Sequence, residues 1–132
     1  TEKIAPYLVP VVEEMKLYLG RETWNSARSI NAIEMCPLEY MRGRNFHNTF
    51  MILDEAQNAT YEQIKMFLTR IGMGSKAVIN GDISQTDLNT VNGGGLDSCM
   101  DKLEDVEGVS ICELTSDDIV RNGIISRILA KL

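Results

Sequence analysis

The sequence is poor in the residues that build metal and disulfide sites. It contains three cysteines, Cys36, Cys99 and Cys112, and one histidine, His47, among 132 residues. The cysteines are odd in number and form no CxxC pair, which argues against a disulfide framework and against a thiolate zinc cluster. A single histidine argues against an imidazole-based zinc site as well. This usage is typical of a protein in a reducing cytoplasm.

Long hydrophobic runs and positive charge are also scarce. No stretch approaches the roughly 18 apolar residues of a membrane span, and no basic segment precedes an apolar one at the amino terminus. Thirteen lysines and arginines against 19 acidic residues give a net charge of −6, which disfavours broad binding to a phosphate backbone. The hydrophobic content of 44% and charged content of 24% are typical of a globular chain. We therefore expect one cytoplasmic domain over residues 1–132, without membrane association.

Apolar runs alternate with amphipathic segments along the chain. The uninterrupted run Phe50–Leu53 predicts a strand buried on both faces, as in a parallel sheet covered by helices. Residues 77–79 and 109–114 predict two more strands. Apolar residues at helical spacing predict helices in five segments: 10–19, 21–30, 60–72 (with a Thr60–Gln63 capping box), 96–103 and 124–132. This alternation indicates an α/β fold with a mostly parallel sheet flanked by helices.

Two acidic residues follow the first predicted strand directly. In open α/β sheets, ligands bind beyond the carboxyl ends of the strands, so Asp54 and Glu55 occupy a position suited to chemistry. Asp54 in this position can hold a magnesium ion, and Glu55 can polarise a water for attack on a γ-phosphate. This is the Walker B arrangement. The alternative is that both are solvated loop acids, since the motif is short.

The second predicted strand ends in Gly81, Asp82 and, three residues later, Gln85. Gly81 allows the backbone to approach its neighbours closely, and Asp82 and Gln85 are expected to project into the same crevice as Asp54. A neutral amide such as Gln85 can hydrogen-bond a γ-phosphate or the attacking water. An ordinary Gly-Asp turn is the alternative for this motif alone. Two such strand ends in this order are less easily explained by chance.

Five stretches of the chain carry a family resemblance. They are residues 37–44 (PLEYMRGR), 52–58 (ILDEAQN), 65–72 (KMFLTRIG), 81–85 (GDISQ) and 113–121 (ELTSDDIVR). Together they closely resemble the PhoH-like family of P-loop ATPases, which is named for phosphate-starvation-inducible proteins and is similar to the motor core of superfamily 1 helicases. The resemblance covers nearly the whole chain. It implies a RecA-like P-loop NTPase domain.

The resemblance also implies roles for the acidic and amide residues of the two strand ends. Asp54 would be the Walker B magnesium ligand and Glu55 the catalytic carboxylate. Gln85 would be the γ-phosphate sensor beside Asp82. Gln57 belongs to the same family motif as Asp54 and is assigned to nucleotide binding with Asp82. The implied ligands are ATP and Mg²⁺ in the parent protein.

Three arginines receive roles from the resemblance as well. Arg121 matches a family arginine that is a candidate arginine finger, supplied to a neighbouring subunit of a homo-oligomer; the alternative is a solvated arginine or a helix-end cation. Arg42 and Arg44 match a basic loop that could contact nucleotide or RNA. A structural role is an equal alternative for this pair, because two arginines form only a small patch.

One family motif is missing from the sequence. The Walker A loop, G-x-x-x-x-G-K-S/T, has no counterpart, and Lys76 after Gly74 and Ser75 precedes a strand where the motif requires a helix. We therefore expect an incomplete P-loop domain, the carboxyl-terminal part of an ATPase core, that is inactive alone. Loss of the loop-bearing strand would leave a sheet edge that needs compensation.

Two other hypotheses remain at this point. The chain can be a short non-catalytic PhoH-like interaction or regulatory module, or an RNA-binding module that uses Arg42 and Arg44. The net charge makes the RNA hypothesis the weakest of the three. A phosphate-loop motif in the reading frame upstream of Thr1 would support the ATPase fragment, whereas a start codon just before Thr1 would support the short module.

Overall fold

Two short strands pair in parallel to form the sheet. In the computed structural model, which describes residues 6–85 and 94–132, β1 spans Phe50–Leu53 and β2 spans Lys76–Ile79. Met51 lies opposite Ala77, and Leu53 lies opposite Ile79. An isolated parallel bridge between Phe46 and Ile71 extends the pairing on the amino-terminal side. Both strands and their parallel direction confirm the prediction from the apolar runs.

The helices belong to two compact units, the first ending at Gly43 and the second beginning at Arg44. The first unit contains α1 (Val9–Leu19) and α2 (Arg21–Ser29), which bury Val12 and Trp24 respectively. The second unit contains α3 (Tyr61–Leu68), α4 (Gly95–Leu103) and α5 (Gly123–Leu129). Short 3-10 turns occur at Pro6–Leu8, Leu38–Tyr40, Ala56–Asn58 and Ser116–Asp118. In the described part of the chain, no helix has the length and hydropathy needed to cross a membrane.

Helix α3 begins where the sequence predicts. The Thr60 hydroxyl accepts a hydrogen bond from the Gln63 N–H at 3.2 Å, and the Gln63 amide oxygen accepts one from the Thr60 N–H at 2.9 Å. This reciprocal capping box satisfies two backbone donors that the first turn would otherwise leave unpaired. The helix ends at Leu68 rather than just before Gly72, because the following backbone turns to pair with Phe46: the Gly72 N–H donates to the Phe46 carbonyl at 2.8 Å.

The core of the second unit lies between one sheet face and two helices. Ile64 of α3 is fully buried, and its cluster also contains Ala56, Ala59, Leu96 and Cys99. Leu53 and Ile79 pack against this cluster from the sheet. The burial of these side chains supplies the main free energy that holds α3 and α4 on the sheet.

The other sheet face is exposed, so the expectation of strands buried on both faces is wrong for the described residues. Phe50 is 64% exposed, Ile52 54% and Val78 37%. The alternation along β1 explains the division, because Phe50 and Ile52 lie on the face opposite to Met51 and Leu53. Met51 is buried, and Leu53 packs against the cluster that contains Ile64 and Leu96. The described packing therefore leaves two apolar side chains of β1, Phe50 and Ile52, exposed.

The carboxyl-terminal part also differs from the prediction. Residues 109–114 form no strand in the part of the chain that the structure describes, and Val109, Ile111 and Leu114 are exposed. An apolar run has the propensity for a strand, but a strand forms only where a neighbouring edge accepts its hydrogen bonds. Helix α5 forms as predicted, but it ends at Leu129 and its apolar side chains are exposed: Ile124, Ile125, Ile128 and Leu129.

Candidate functional site

The carboxyl ends of β1 and β2 meet at one edge of the sheet. The Asn80 N–H donates to the Leu53 carbonyl at 2.9 Å, and the Ala56 N–H donates to the Asn80 carbonyl at 2.9 Å. These two bonds extend the pairing beyond the strands and hold the segment after β1 beside the segment after β2. The two predicted strand ends therefore lie together, as expected for parallel strands.

The backbone at Glu55 adopts a left-handed conformation. Its φ of 52° and ψ of 40° lie in a region that a non-glycine residue rarely occupies. The turn carries the chain directly from Asp54 into the 3-10 turn Ala56–Asn58, which buries Ala56 and Gln57 while Glu55 remains exposed. Strained residues of this kind cluster at functional sites, where surrounding structure compensates their cost of about 1–3 kcal/mol.

Gln57 connects the two strand ends through its side chain. It is 3% exposed, its amide nitrogen donates to the Glu55 Oε2, and its amide oxygen accepts from the Asp82 N–H at 3.0 Å. The family resemblance assigns Gln57 to nucleotide binding, and in the structure its amide contacts two groups of the protein itself. These two bonds give Gln57 a direct connection to both Glu55 and Asp82.

Asp82 organises the loop after β2. Its Oδ1 accepts hydrogen bonds from the Ser84 hydroxyl at 2.6 Å and the Ser84 N–H at 2.9 Å, and its Oδ2 accepts from the Gln85 amide at 2.8 Å. These bonds, with the Ser84 hydroxyl contributing most, hold the pKa of Asp82 below its usual value of 3.8. The predicted sensor Gln85 is thus in contact with Asp82.

Gly81 confirms the expectation that the backbone must pass closely here. A Cβ at this position would lie 2.5 Å from Leu96 Cδ2 and 3.0 Å from both the backbone nitrogen and the amide oxygen of Gln57. Such contacts are too short for any side chain without displacement of the neighbours. A side chain here would therefore have to displace Leu96 and Gln57, whereas the φ of Gly81 is not in the left-handed region.

Asp54 and the three arginines occupy different surroundings. Asp54 is exposed directly after β1. Arg44 stacks over the Phe46 ring at 4.5 Å, beside the Phe46–Ile71 bridge at the amino-terminal end of the strands, so the structure does not bring Arg44 together with Asp54. Arg42 is exposed in the first unit. Arg121 is exposed next to Asn122, the N-cap of α5, where a helix dipole does not favour a cation.

The sequence analysis missed the parts played by Ser84 and Asn80. Ser84 follows Asp82 by two residues, which is the spacing at which an aspartate side chain bonds the backbone ahead of it in an Asx turn, so a local signal was present. No comparable signal exists for Asn80, because its carbonyl is paired with Ala56 only after the two strands align.

Comparison with known proteins gives a consistent result along the whole chain. The family model described as PhoH-like protein matches residues 1–132. A PhoH-like protein of Mycobacterium bovis is 46% identical over 129 residues, which are 98% of this chain and 37% of that protein. A PhoH-like protein of Bacillus subtilis is 42% identical over 128 residues, covering 97% of this chain and 40% of its own length. Protein PhoH of Escherichia coli K12 is 41% identical over 130 residues and is covered to 37%. The chain thus spans about two fifths of the length of these curated relatives.

Proposed function

The chain belongs to the PhoH-like family, and we propose that it carries the water-activating part of a magnesium-dependent ATPase of the P-loop type. The observation that carries the proposal is the joined edge of the sheet, where Glu55, Gln57 and Asp82 form one hydrogen-bonded group after two parallel strands. Ligands of open α/β sheets bind at this edge. The 81–85 loop supplies a further amide, Gln85, at the same edge.

The oxygen donors at this edge suit a magnesium ion that arrives with its nucleotide. Asp54 and Asp82 are carboxylates exposed after neighbouring strands. No group of three or more His, Cys, Asp or Glu side chains within residues 6–85 and 94–132 could hold a metal by itself. Mg²⁺ commonly binds through one or two carboxylates together with substrate phosphates and waters, so this donor set fits. In the proposal Asp54 would hold the ion, which when bound neutralises phosphate charge.

Glu55 and Gln85 act on the attacking water in this proposal. The exposed Glu55 carboxylate has two oxygens, so the bond from Gln57 to Oε2 directs the group without using its capacity to accept a proton. Glu55 would take the proton from the water as it attacks the γ-phosphorus. Gln85, held by Asp82, would orient the same water or contact the γ-phosphate.

Most of the phosphate-binding charge must come from elsewhere in the protein. The site edge presents carboxylates and amides, and the sequence has no Walker A loop. The matched region is only 37% of the Mycobacterium bovis relative, so we place the phosphate loop of this protein in sequence outside these 132 residues. The same proposal includes a cytoplasmic homo-oligomer in which the exposed Arg121 reaches a neighbouring subunit. RNA coupling stays a prediction within this proposal, with the exposed Arg42 and Arg44 as its candidate contacts.

Substitution of Glu55 by glutamine tests the proposal. In the natural full-length protein, Glu55→Gln should retain Mg-ATP binding and lower turnover by about 10²- to 10⁴-fold, because the amide cannot accept the proton of the water. Turnover is followed by phosphate release and binding by calorimetry. Glu104→Gln, at the exposed end of α4, makes the same chemical change away from the site and should leave both quantities unchanged. Near-normal turnover in Glu55→Gln would remove Glu55 from the proposed role.

A further inference from the structure

Gln57 is a buried polar side chain whose environment restricts it to one orientation. It is 3% exposed, and burial of an amide is costly unless both of its ends are hydrogen-bonded. The Asp82 N–H can only donate and the Glu55 carboxylate can only accept, so the amide oxygen must face Asp82 and the amide nitrogen must face Glu55. If the amide were flipped, its NH₂ group would face the Asp82 N–H and its oxygen would face the Glu55 carboxylate, so neither hydrogen bond would form.

Among side chains of this length, only glutamine can both donate to the Glu55 carboxylate and accept from the Asp82 N–H. A glutamate of the same shape would keep the acceptor for the Asp82 N–H but would set a carboxylate against Glu55. A leucine would fill a similar volume and lose both bonds. The requirement is therefore chemical and not only steric. Gly81 leaves room for the Gln57 amide oxygen, because a Cβ on Gly81 would lie only 3.0 Å from that oxygen.

The same amide joins Glu55 and Asp82, which lie on different strand ends, and Asp82 is 25 positions from Gln57 in sequence. On one side it directs the Glu55 carboxylate, whose backbone is left-handed at φ 52°. On the other side it holds the backbone of Asp82, whose side chain holds Ser84 and Gln85. A displacement of the 81–85 loop must therefore break the amide link or move Glu55 with it.

We propose that Gln57 is a positioning residue that couples the direction of the Glu55 carboxylate to the conformation of the 81–85 loop. The inference rests on the proposed function, because it gives Glu55 the water and Gln85 the phosphate. Contact of a γ-phosphate with Gln85 would be transmitted through Asp82 and Gln57 to Glu55. The water-activating group is then correctly directed only when the loop is in its phosphate-contacting conformation.

The kinetic test uses Gln57→Glu in the natural full-length protein, with Gln63→Glu as the matched control. Gln63→Glu makes the same change in the α3 capping box, where glutamate also serves, and should behave as wild type. Gln57→Glu should lower kcat about 10- to 100-fold through misdirection of Glu55, with KM for Mg-ATP changed less than about twofold.

A second measurement does not depend on catalysis. Amide hydrogen exchange of Asp82, followed by NMR in the 132-residue chain, should be about fivefold faster in Gln57→Leu than in wild type. It should stay protected in Gln57→Glu, which keeps the acceptor. If the wild-type protein does not hydrolyse ATP, the proposed function fails, and the exchange rates still decide the amide link. Wild-type kcat in Gln57→Glu, or equal Asp82 exchange in all variants, would overturn the coupling.

Discussion

At the scale of the residue, the most unusual feature is the left-handed backbone of Glu55. A glycine in this conformation would escape the contact between Cβ and the backbone that penalises other residues. The turn from β1 into the buried 3-10 segment follows this backbone path, and the residue at the turn is a glutamate and not a glycine. The position thus combines a conformational cost with a side chain suited to chemistry, which is the pattern expected where stability is exchanged for function.

Comparison of two truncations at Glu55 measures this cost. Glu55→Gly and Glu55→Ala both remove the carboxylate and its bond with Gln57, and they differ mainly in the Cβ. We expect Glu55→Gly to be more stable than Glu55→Ala by about 0.5–1 kcal/mol in urea unfolding of the chain, because glycine relieves the left-handed strain. Neither variant should support hydrolysis. An alanine variant as stable as the glycine variant would show that the backbone at this position is not strained.

At the scale of the element, α3 depends on its amino-terminal cap. Both capping-box hydrogen bonds are present, and α3 carries the fully buried Ile64. Loss of the cap should therefore affect the core and not only the helix end.

Thr60→Ala should lower the free energy of unfolding by about 1 kcal/mol, since it removes the acceptor for the Gln63 N–H. Thr60→Ser keeps a hydroxyl in the same place and should recover most of that loss. Chemical denaturation monitored by circular dichroism measures both variants. Equal stability of Thr60→Ala and wild type would mean that water replaces the cap without cost.

The elements that the sequence predicted are those whose determinants are local. The apolar run at β1 and the capping box at α3 define their elements within a few residues. Residues 109–114 differ, because an apolar run forms a strand only where a neighbouring strand pairs with its backbone, and this depends on distant parts of the chain. The sequence also predicted that the two strand ends meet, which follows from parallel pairing. It could not reveal the link between Gln57 and Asp82 or the φ of Glu55, since both depend on side-chain and backbone placement across distant segments.

At the scale of the whole molecule, the charge of the site edge limits what the chain can bind alone. The net charge is −6, and Asp54, Glu55 and Asp82 all lie at the ends of β1 and β2. Carboxylates repel a polyphosphate unless a metal intervenes, and magnesium relies on phosphates that other groups already hold.

Calorimetry of the 132-residue chain with millimolar Mg-ATP should therefore show no saturable binding, and phosphate release should remain at background. The natural full-length protein under the same conditions should bind if a phosphate loop completes the site. A 1:1 isotherm at micromolar affinity with the 132-residue chain would show that this segment holds the phosphates itself.

The exposed sheet face has a consequence for the temperature dependence of stability. Phe50, Ile52 and Val78 are hydrated in the native chain, as are the apolar residues of α5. Unfolding therefore brings less new apolar surface into contact with water than it does in an ordinary domain. Since hydration of apolar surface dominates the heat-capacity increment of about 12–15 cal/mol/K per residue, we expect the increment of this chain to fall below that range. A smaller increment would give a flatter stability curve, with a broad maximum and a smaller loss of stability on cooling.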